Sequence, residues 1–313
     1  MQCSRAVRVA ETVTGYVVAA YGRHLRVRTA AGAELAARPF GRALVVVCGD
    51  EVRCALDARH EEVHVTEVLP RRSVLYRSNV RGGAEPVVAN LTRLLVVLAP
   101  RPAPELFVID RYLCAGSAAG VGATLLVNKC ELGVDADLEA ALTDYAAAGY
   151  AILRASAVSG AGLSELRGEL AAGEIAALVG QSGVGKSSLV QRLVPAAEIA
   201  VGDLVRAAEG RHTTTAARLF SLEGGGALID SPGVRDFAPA VQALDERSLG
   251  FPEVQRLAPG CRFGDCRHMR EPGCAVRAAA EDGTLAARRY ESYRRLRRLY
   301  EELRAARGRQ RAR

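Results

Sequence analysis

Apolar and polar residues alternate over short segments within the first 70 residues of the chain. The segments are TGYVVAAY, HLRVRTA, ALVVVCGDEVRCAL and EVHVTEVL, and glycines separate them. Alternation of this kind is typical of β-strands with one buried face. It predicts a small barrel of about five strands over residues 1–70. An OB-like barrel is favoured because many such barrels bind RNA, and a barrel that serves only for packing is the alternative.

From about residue 90 the pattern changes to apolar strands that alternate with helical segments. The strands read LTRLLVVLAP, ATLLVNK, YAILRAS and EIAALVG, and LFVIDRYLCAGSAAG is one of the helical segments. This alternation predicts an α/β domain with a mainly parallel sheet, placed at residues 71–238. The remainder, residues 239–313, begins with a proline-rich irregular segment. It ends in a predicted helix with Tyr and Leu on one face and Arg on the other.

Composition and length are those of a globular protein with several domains. The chain has 313 residues, of which 49% are hydrophobic and 25% charged. No apolar run approaches the about 20 residues that cross a bilayer, and the first residues lack the apolar stretch of a signal peptide. We therefore expect a cytoplasmic protein with no membrane contact, and we expect a monomer.

The positive charge of the chain is concentrated at its C-terminal end. The net charge is +7, whereas the segment from Ala286 onward holds 11 Arg and 3 Glu, a balance of +8. The rest of the chain is therefore nearly neutral. A localised excess of this kind favours an anionic partner such as RNA, and a solvated helix face is the alternative.

The segment GQSGVGKSS at residues 180–188 matches the pattern G-x-x-x-x-G-K-[ST] of a phosphate-binding loop. An apolar strand precedes it and a helical pattern follows it. Backbone N–H groups would bind phosphate oxygens, Lys186 would reach the β- and γ-phosphates, and Ser187 would hold Mg²⁺. The predicted contacts are Gly180, Gln181, Ser182, Gly183, Val184, Gly185, Lys186, Ser187 and Ser188.

The run NKCE at residues 128–131 follows the strand ATLLV and indicates a guanine nucleotide. Lys129 would pack over the base, and Glu131 would accept hydrogen bonds from guanine N1 and N2, a donor pair that adenine lacks. An Asp is the usual residue where Glu131 stands. The predicted base contacts are Asn128, Lys129, Cys130, Glu131, Ser156 and Ala157. A helix-capping turn and a P-loop ATPase are the alternatives.

Two further segments complete the predicted site. DSPG at residues 230–233 follows an apolar strand and supplies Asp230 for the Mg²⁺ shell and Gly233 for a γ-phosphate contact. RHTTT at residues 211–215 would supply Thr214 as a further Mg²⁺ ligand.

The residue after DSPG is Val234, where many small GTPases carry the Gln that orients the attacking water. Valine cannot form that hydrogen bond, so we expect slow intrinsic hydrolysis. His212 is the candidate catalytic residue in its place, because an imidazole can position water. The alternative is that His212 only packs.

The order of these motifs indicates a circular permutation. The base-reading motif precedes the phosphate-binding loop, whereas the reverse order is usual in small GTPases. As a consequence, DSPG leads directly into the cysteine-containing C-terminal region. A change at the γ-phosphate could therefore move that region.

Four residues near the C-terminus have the spacing C-x(4)-C-x-H-x(5)-C. They are Cys261, Cys266, His268 and Cys274. Three thiolates and one imidazole suit tetrahedral Zn²⁺, and four protein ligands predict a structural site. Unrelated buried cysteines are the alternative, and that interpretation is the favoured one for the other cysteines of the chain.

Together these stretches resemble the ribosome-small-subunit-dependent, circularly permuted GTPases of the RsgA type. The resemblance covers nearly the whole chain and includes GYVVAAYGRHLRVRT, LPRRSVLYRS, NKCEL, GQSGVGKSSL, GRHTTTAARLF and LIDSPGVRDF. It implies an OB barrel, a permuted GTPase domain and a zinc domain that dock on the small ribosomal subunit and its rRNA late in assembly. The implied activity is hydrolysis of GTP to GDP. An RNA-binding assembly factor that does not turn over its nucleotide is the alternative.

Overall fold

Strands near the N-terminus close into a barrel. The computed structural model of the protein describes residues 12–57, 62–79, 83–171, 173–194, 216–230 and 238–311. The barrel strands are β1 (Thr12–Tyr21), β2 (His24–Thr29), β3 (Glu34–Pro39), β4 (Glu51–Asp57) and β5 (Glu62–Val68). They pair in the order β1-β2-β3-β5-β4, and β4 returns to β1. This closed five-stranded order is that of an OB-fold, which confirms the predicted barrel.

One barrel strand is shorter than its apolar pattern predicts. The apolar pattern predicts strand structure over residues 43–56 with an interruption at Gly49, but β4 begins only at Glu51. The preceding residues form a turn around the buried carboxylate of Asp50, which accepts a hydrogen bond from the N–H of Val47 at 2.8 Å. Gly49 has φ +89°, and a Cβ there would lie 2.1 Å from a backbone carbonyl oxygen. Val46, Val47 and Cys48 are therefore buried in a turn.

The central domain has the predicted α/β architecture. Its sheet contains β8 (Arg93–Leu98), β9 (Gly122–Val127), β10 (Ala151–Arg154), β11 (Ile175–Gly180), β12 (Ala216–Ser221) and β13 (Ala227–Asp230). The order is β10-β9-β8-β11-β13-β12, and only β12 among these runs antiparallel to its neighbour. The helices are α1 (Leu106–Ala118), α2 (Ala136–Ala148), α3 (Leu163–Glu169) and α4 (Lys186–Leu193).

Backbone pairing links the central domain to its neighbours on both sides. Strand β12 pairs with β1, with Tyr21 opposite Ala216, so the central sheet continues into the barrel. A hairpin of β6 (Val74–Ser78) and β7 (Ala84–Ala89) lies between the two domains in sequence. The N–H of Ser78 donates to the carbonyl oxygen of Ala238 at 3.0 Å, which joins this hairpin to the chain after β13.

The C-terminal domain packs around one long helix. It contains α5 (Pro252–Leu257), α6 (Ala275–Glu281) and α7 (Ala287–Arg311). Tyr293 and Leu296 of α7 are buried against Phe251 and Val276, which confirms the predicted apolar face. No helix in the described ranges has both the length and the apolar character that a bilayer crossing requires.

The prediction that the arginines of α7 all lie on its solvent face is wrong. Arg289 and Arg297 are 1% and 2% exposed. The Arg289 guanidinium donates to Glu253 at 2.6 Å and to Asp110 of α1, and it lies 4.5 Å from the centre of the Phe251 ring. Buried charges require such partners, so α7 is held to the GTPase domain by a buried ion-pair network.

We expect Arg289→Met to lower the free energy of unfolding by about 3–5 kcal/mol, because it leaves Glu253 buried without a cation and removes one of the two cations that pair with Asp110. Urea denaturation measures the loss. The matched control is Arg298→Met, which removes an exposed pair with Glu291 and should cost less than about 1 kcal/mol. Equal losses in the two variants would contradict the role of Arg289.

Candidate nucleotide-binding site and metal centre

The phosphate-binding loop connects the end of β11 to the start of α4. Gly183 and Gly185 have φ values of +82° and +92°, a conformation that favours glycine. A Cβ at Gly180 would lie 2.2 Å from the carbonyl oxygen of Val97 on the adjacent strand. The glycines therefore allow the loop to wrap tightly, with its N–H groups and the helix start available to an anion.

Lys186 is the first residue of α4 and is buried inside this loop. Its Nζ donates to the carbonyl oxygens of Gly180 and Gln181, both at 2.7 Å. The side chain is therefore folded back over the loop backbone, with one positive charge at the centre of the turn. Ser187 and Ser188 follow on the first turn of α4 and are exposed.

Asn128 joins three motifs that are far apart in sequence. Its Nδ2 donates to the carbonyl oxygen of Val184 at 2.9 Å, and its Oδ1 accepts from the N–H of Ala157 at 3.2 Å. A Cβ at Gly185 would lie 2.3 Å from the same Nδ2. The structure thus brings together NKCE, the Ser-Ala element and the phosphate-binding loop, as predicted for one site.

The residues after Asn128 form a tight turn at the edge of this site. Lys129 adopts φ +59°, and its Nζ donates to the carbonyl oxygens of Gly183 at 2.7 Å and Arg101 at 3.0 Å. Glu131 lies in the 3-10 turn Cys130–Leu132 and is exposed. Its carboxylate is therefore accessible to a ligand at the same edge.

Arg192 of α4 contacts the Ser-Ala element, and sequence reasoning missed it. Its Nε donates to the carbonyl oxygen of Ala157 at 2.8 Å, and its Nη2 donates to that of Val158 at 2.9 Å. Ser156 closes the same turn by accepting from the N–H of Ser159 at 2.9 Å. A basic residue in the last turn of a helix is common for electrostatic reasons, so its position gave no signal of this contact.

Asp230 ends strand β13, and three other predicted residues cannot be placed. Because β13 runs parallel to β11, the half-buried Asp230 lies at the carboxyl edge of the sheet where the phosphate-binding loop starts. His212, Thr214 and Gly233 lie outside the described residues.

The four predicted metal ligands come together in the C-terminal domain. The ligand atoms of Cys261, Cys266, His268 and Cys274 all lie within 4.8 Å of one another. His268 Nδ1 is 3.4 Å from the sulfur of Cys261 and 3.5 Å from that of Cys274. Tetrahedral coordination with metal–sulfur bonds of about 2.3 Å separates ligands by about 3.5–3.8 Å, so this donor set fits a metal ion.

The loop that carries His268 is organised by a carboxylate that sequence reasoning missed. Glu271 accepts three hydrogen bonds of 2.8–2.9 Å from backbone N–H groups within residues 267–270. Burial alone would raise the pKa of Glu271, but these bonds lower it to about 2. Tyr290 of α7 donates to the carbonyl oxygen of His268 at 2.8 Å. His268 can therefore hold its left-handed backbone conformation of φ +60°.

The model of the RsgA GTPase family matches residues 68–239, which include all the nucleotide motifs. The chain belongs to the RsgA GTPase family. It is 44% identical over 285 residues to the small ribosomal subunit biogenesis GTPase RsgA of Pseudomonas aeruginosa, covering 90% of this chain and 84% of that protein. Identity to the Azotobacter vinelandii protein of the same name is 47% over 230 residues, or 72% and 67% of the two chains.

Solved structures confirm the fold of an RsgA-type GTPase. YjeQ from Thermotoga maritima aligns with a TM-score of 0.70 at 27% identity, covering 94% of this chain and 99% of that one. YloQ, a circularly permuted GTPase, aligns with a TM-score of 0.68 at 23% identity, covering 96% and 98%. The predicted permutation is therefore confirmed. The enzyme is a GTPase, which excludes the alternative of a P-loop ATPase.

We expect Arg192→Met to weaken GDP binding about tenfold, since two hydrogen bonds from a charged group no longer hold the Ser-Ala element against α4. Titration with a fluorescent GDP analogue measures the affinity. Gln191→Met changes the exposed neighbour on the same helix and serves as the control. Unchanged GDP affinity in the Arg192 variant would show that this contact does not position the site.

Proposed function

We propose that this GTPase acts as a switch in late maturation of the small ribosomal subunit, binding its rRNA and being stimulated by it. The observation that carries the proposal is the Asn128 bridge, which brings together the motifs that we propose to form a guanine-nucleotide site. The relatives that match most of the chain are small ribosomal subunit biogenesis GTPases. We also propose that the protein works as a cytoplasmic monomer.

In this proposal the nucleotide phosphates bind at loop 180–188. Lys186 exchanges its two carbonyl contacts for β- and γ-phosphate oxygens, and Gly233 contacts the γ-phosphate. Ser187, Thr214 and Asp230 would hold Mg²⁺, whose preference for hydroxyl and carboxylate oxygens suits these groups. The metal would neutralise charge that develops on the transferred phosphoryl group.

The base would lie between the NKCE turn and the Ser-Ala element. Lys129 is held by hydrogen bonds to the carbonyl oxygens of Gly183 in the loop and of Arg101, which would present its methylene stem to one face of the ring. The exposed Glu131 accepts from guanine N1 and N2. Its side chain is one methylene longer than the usual Asp, and the open position in the turn leaves room for that length.

The metal of the C-terminal domain is proposed to be a structural Zn²⁺. Four protein ligands leave no position for a water molecule, and the three thiols select a soft ion. The ligand loop contacts α7 through Tyr290, so metal binding would fix the position of that helix relative to the loop.

The charge of α7 gives less support to RNA binding than the sequence suggests. Arg288, Arg289 and Arg294 pair with acidic groups, and Arg298 and Arg304 do so as well. Deleting residues 288–313 would also remove the buried Tyr293 and Arg289. Such a deletion would test folding and not rRNA binding.

We expect slow GTP turnover by the protein alone and at least about tenfold faster turnover with purified small subunits. Lys186→Ala should abolish hydrolysis. His212→Ala should lose most of the stimulation and keep GTP affinity, because the imidazole would position the attacking water. Turnover that subunits do not change would favour the non-hydrolysing assembly factor, and full stimulation of the His212 variant would remove His212 from the mechanism.

We expect Cys261→Ser to lose about one Zn²⁺ per chain, measured by elemental analysis, and to unfold the segment around residues 255–280, since zinc contributes about 10–16 kcal/mol in small sites. GDP affinity should remain. Asp265→Asn, an exposed change next to Cys266, is the control and should retain the metal. Zinc-free wild-type protein would reject the assignment.

A further inference from the structure

The barrel presents an exposed aromatic ring that is fixed in place. Phe40 follows β3 and is 67% exposed. Arg23, in the turn between β1 and β2, donates to the backbone carbonyl oxygens on both sides of Phe40, at 3.1 and 2.7 Å. The ring also contacts His64 of β5 edge to face, with 6.1 Å between the ring centres. These contacts restrain the loop, so a ligand would find the ring already oriented.

Cationic side chains are frequent on the strands and turns that adjoin this ring. Strand register places Arg26 beside Ala36 and Arg38 beside His64 on the outer side of the barrel. Arg26, Arg38 and Arg42 are exposed and have no ion pair within the described residues. We call this surface the Phe40 face, and its members are Arg23, Arg26, Arg38, Phe40, Arg42 and His64.

Among the described residues, the acidic side chains near this surface pair with groups other than Arg26, Arg38 and Arg42. Glu34 pairs with Arg28 at 2.9 Å, and Glu62 lies 3.5 Å from His64. The free guanidinium groups of the Phe40 face therefore remain available to an anion, in contrast to the paired arginines of α7.

We propose that the Phe40 face binds an unpaired RNA nucleotide, whose base stacks on the Phe40 ring while Arg38 and Arg42 bind the flanking phosphates. Stacking on an aromatic side chain together with basic groups along the backbone is how OB-type barrels hold single strands. An RNA duplex keeps its bases stacked and would not offer one to the ring. The inference rests on the proposed rRNA partner and adds the place and the kind of RNA structure that is bound.

A tryptophan at position 40 provides a direct test, because the chain contains no Trp. We expect the emission of Phe40→Trp to be quenched by a 12-nucleotide oligouridylate, with affinity near that of the wild type. Phe40→Ala should weaken binding of the same labelled oligonucleotide about tenfold, measured by fluorescence anisotropy. Arg38→Gln should reduce the slope of log affinity against log salt by about 1.

Two control variants distinguish stacking on the Phe40 ring from the loss of any exposed apolar side chain and from fluorescence changes elsewhere on the barrel. Val45→Ala removes another exposed apolar side chain after β3, 57% exposed, and should leave oligonucleotide affinity unchanged. Leu56→Trp places the fluorophore on β4 and should show no quenching. Phe40→Ala should keep the melting temperature of the wild type, since the ring is exposed.

Equal oligonucleotide affinity for Phe40→Ala and wild type would overturn the proposal, as would wild-type protein that does not bind the oligonucleotide at low salt. Stimulation of GTP turnover by small subunits is measured on the same preparations. If small subunits stimulate the wild type but Phe40→Ala does not change RNA affinity, only the proposal for the Phe40 face is rejected. Absence of wild-type stimulation rejects the proposed function, whatever the oligonucleotide result.

Discussion

The side-chain amide of Asn128 is the interaction on which the candidate site depends. It connects the base-reading turn, the Ser-Ala element and the phosphate-binding loop through one donor and one acceptor. The amide is buried, so the loss of either hydrogen bond would leave a polar group without a partner and would cost free energy. Gly185 must lack a side chain to let the amide approach. The three motifs therefore come together in space although their order along the chain is permuted. The contacts of the buried amide do not depend on the order in which the chain connects the motifs.

The permutation determines which other domains the segments of the nucleotide site lead into. Strand β12 begins at Ala216, directly after the Thr-rich segment in sequence, and pairs with β1 of the barrel. The chain after DSPG bonds to the hairpin strand β6 before it enters the C-terminal domain. That domain is held to α1 by the buried pairing of Arg289 with Asp110. The Thr-rich segment thus leads through β12 into pairing with the barrel, and the segment after DSPG leads along the chain into the C-terminal domain, which suits a switch.

Local patterns were enough to predict the barrel, the α/β domain, the glycine-rich loop and the cluster of four candidate metal ligands. Each depends on residues that are close in sequence, such as the spacing of Cys261 and Cys266 or the glycines of the loop. The residues that were missed bind backbone groups, which leave no mark in a side-chain pattern. Arg192 binds carbonyl oxygens that only the fold brings near. Glu271 and Asp50 bind N–H groups of their own turns, and Asp50 thereby converts an apolar, strand-like segment into a turn.

The distribution of charged residues along the sequence also does not reveal which arginines are free to bind an anion. The sequence places most of the positive charge on α7, yet Arg288, Arg289 and Arg298 are paired with acids there. A paired guanidinium has little left to offer a phosphate, because its field is cancelled at short range. The nearly neutral remainder of the chain holds Arg38 and Arg42 without acidic partners among the described residues, beside an exposed ring. Affinity for RNA comes from the cations that contact its phosphates, so in our proposal a segment of low net charge can still provide a binding surface.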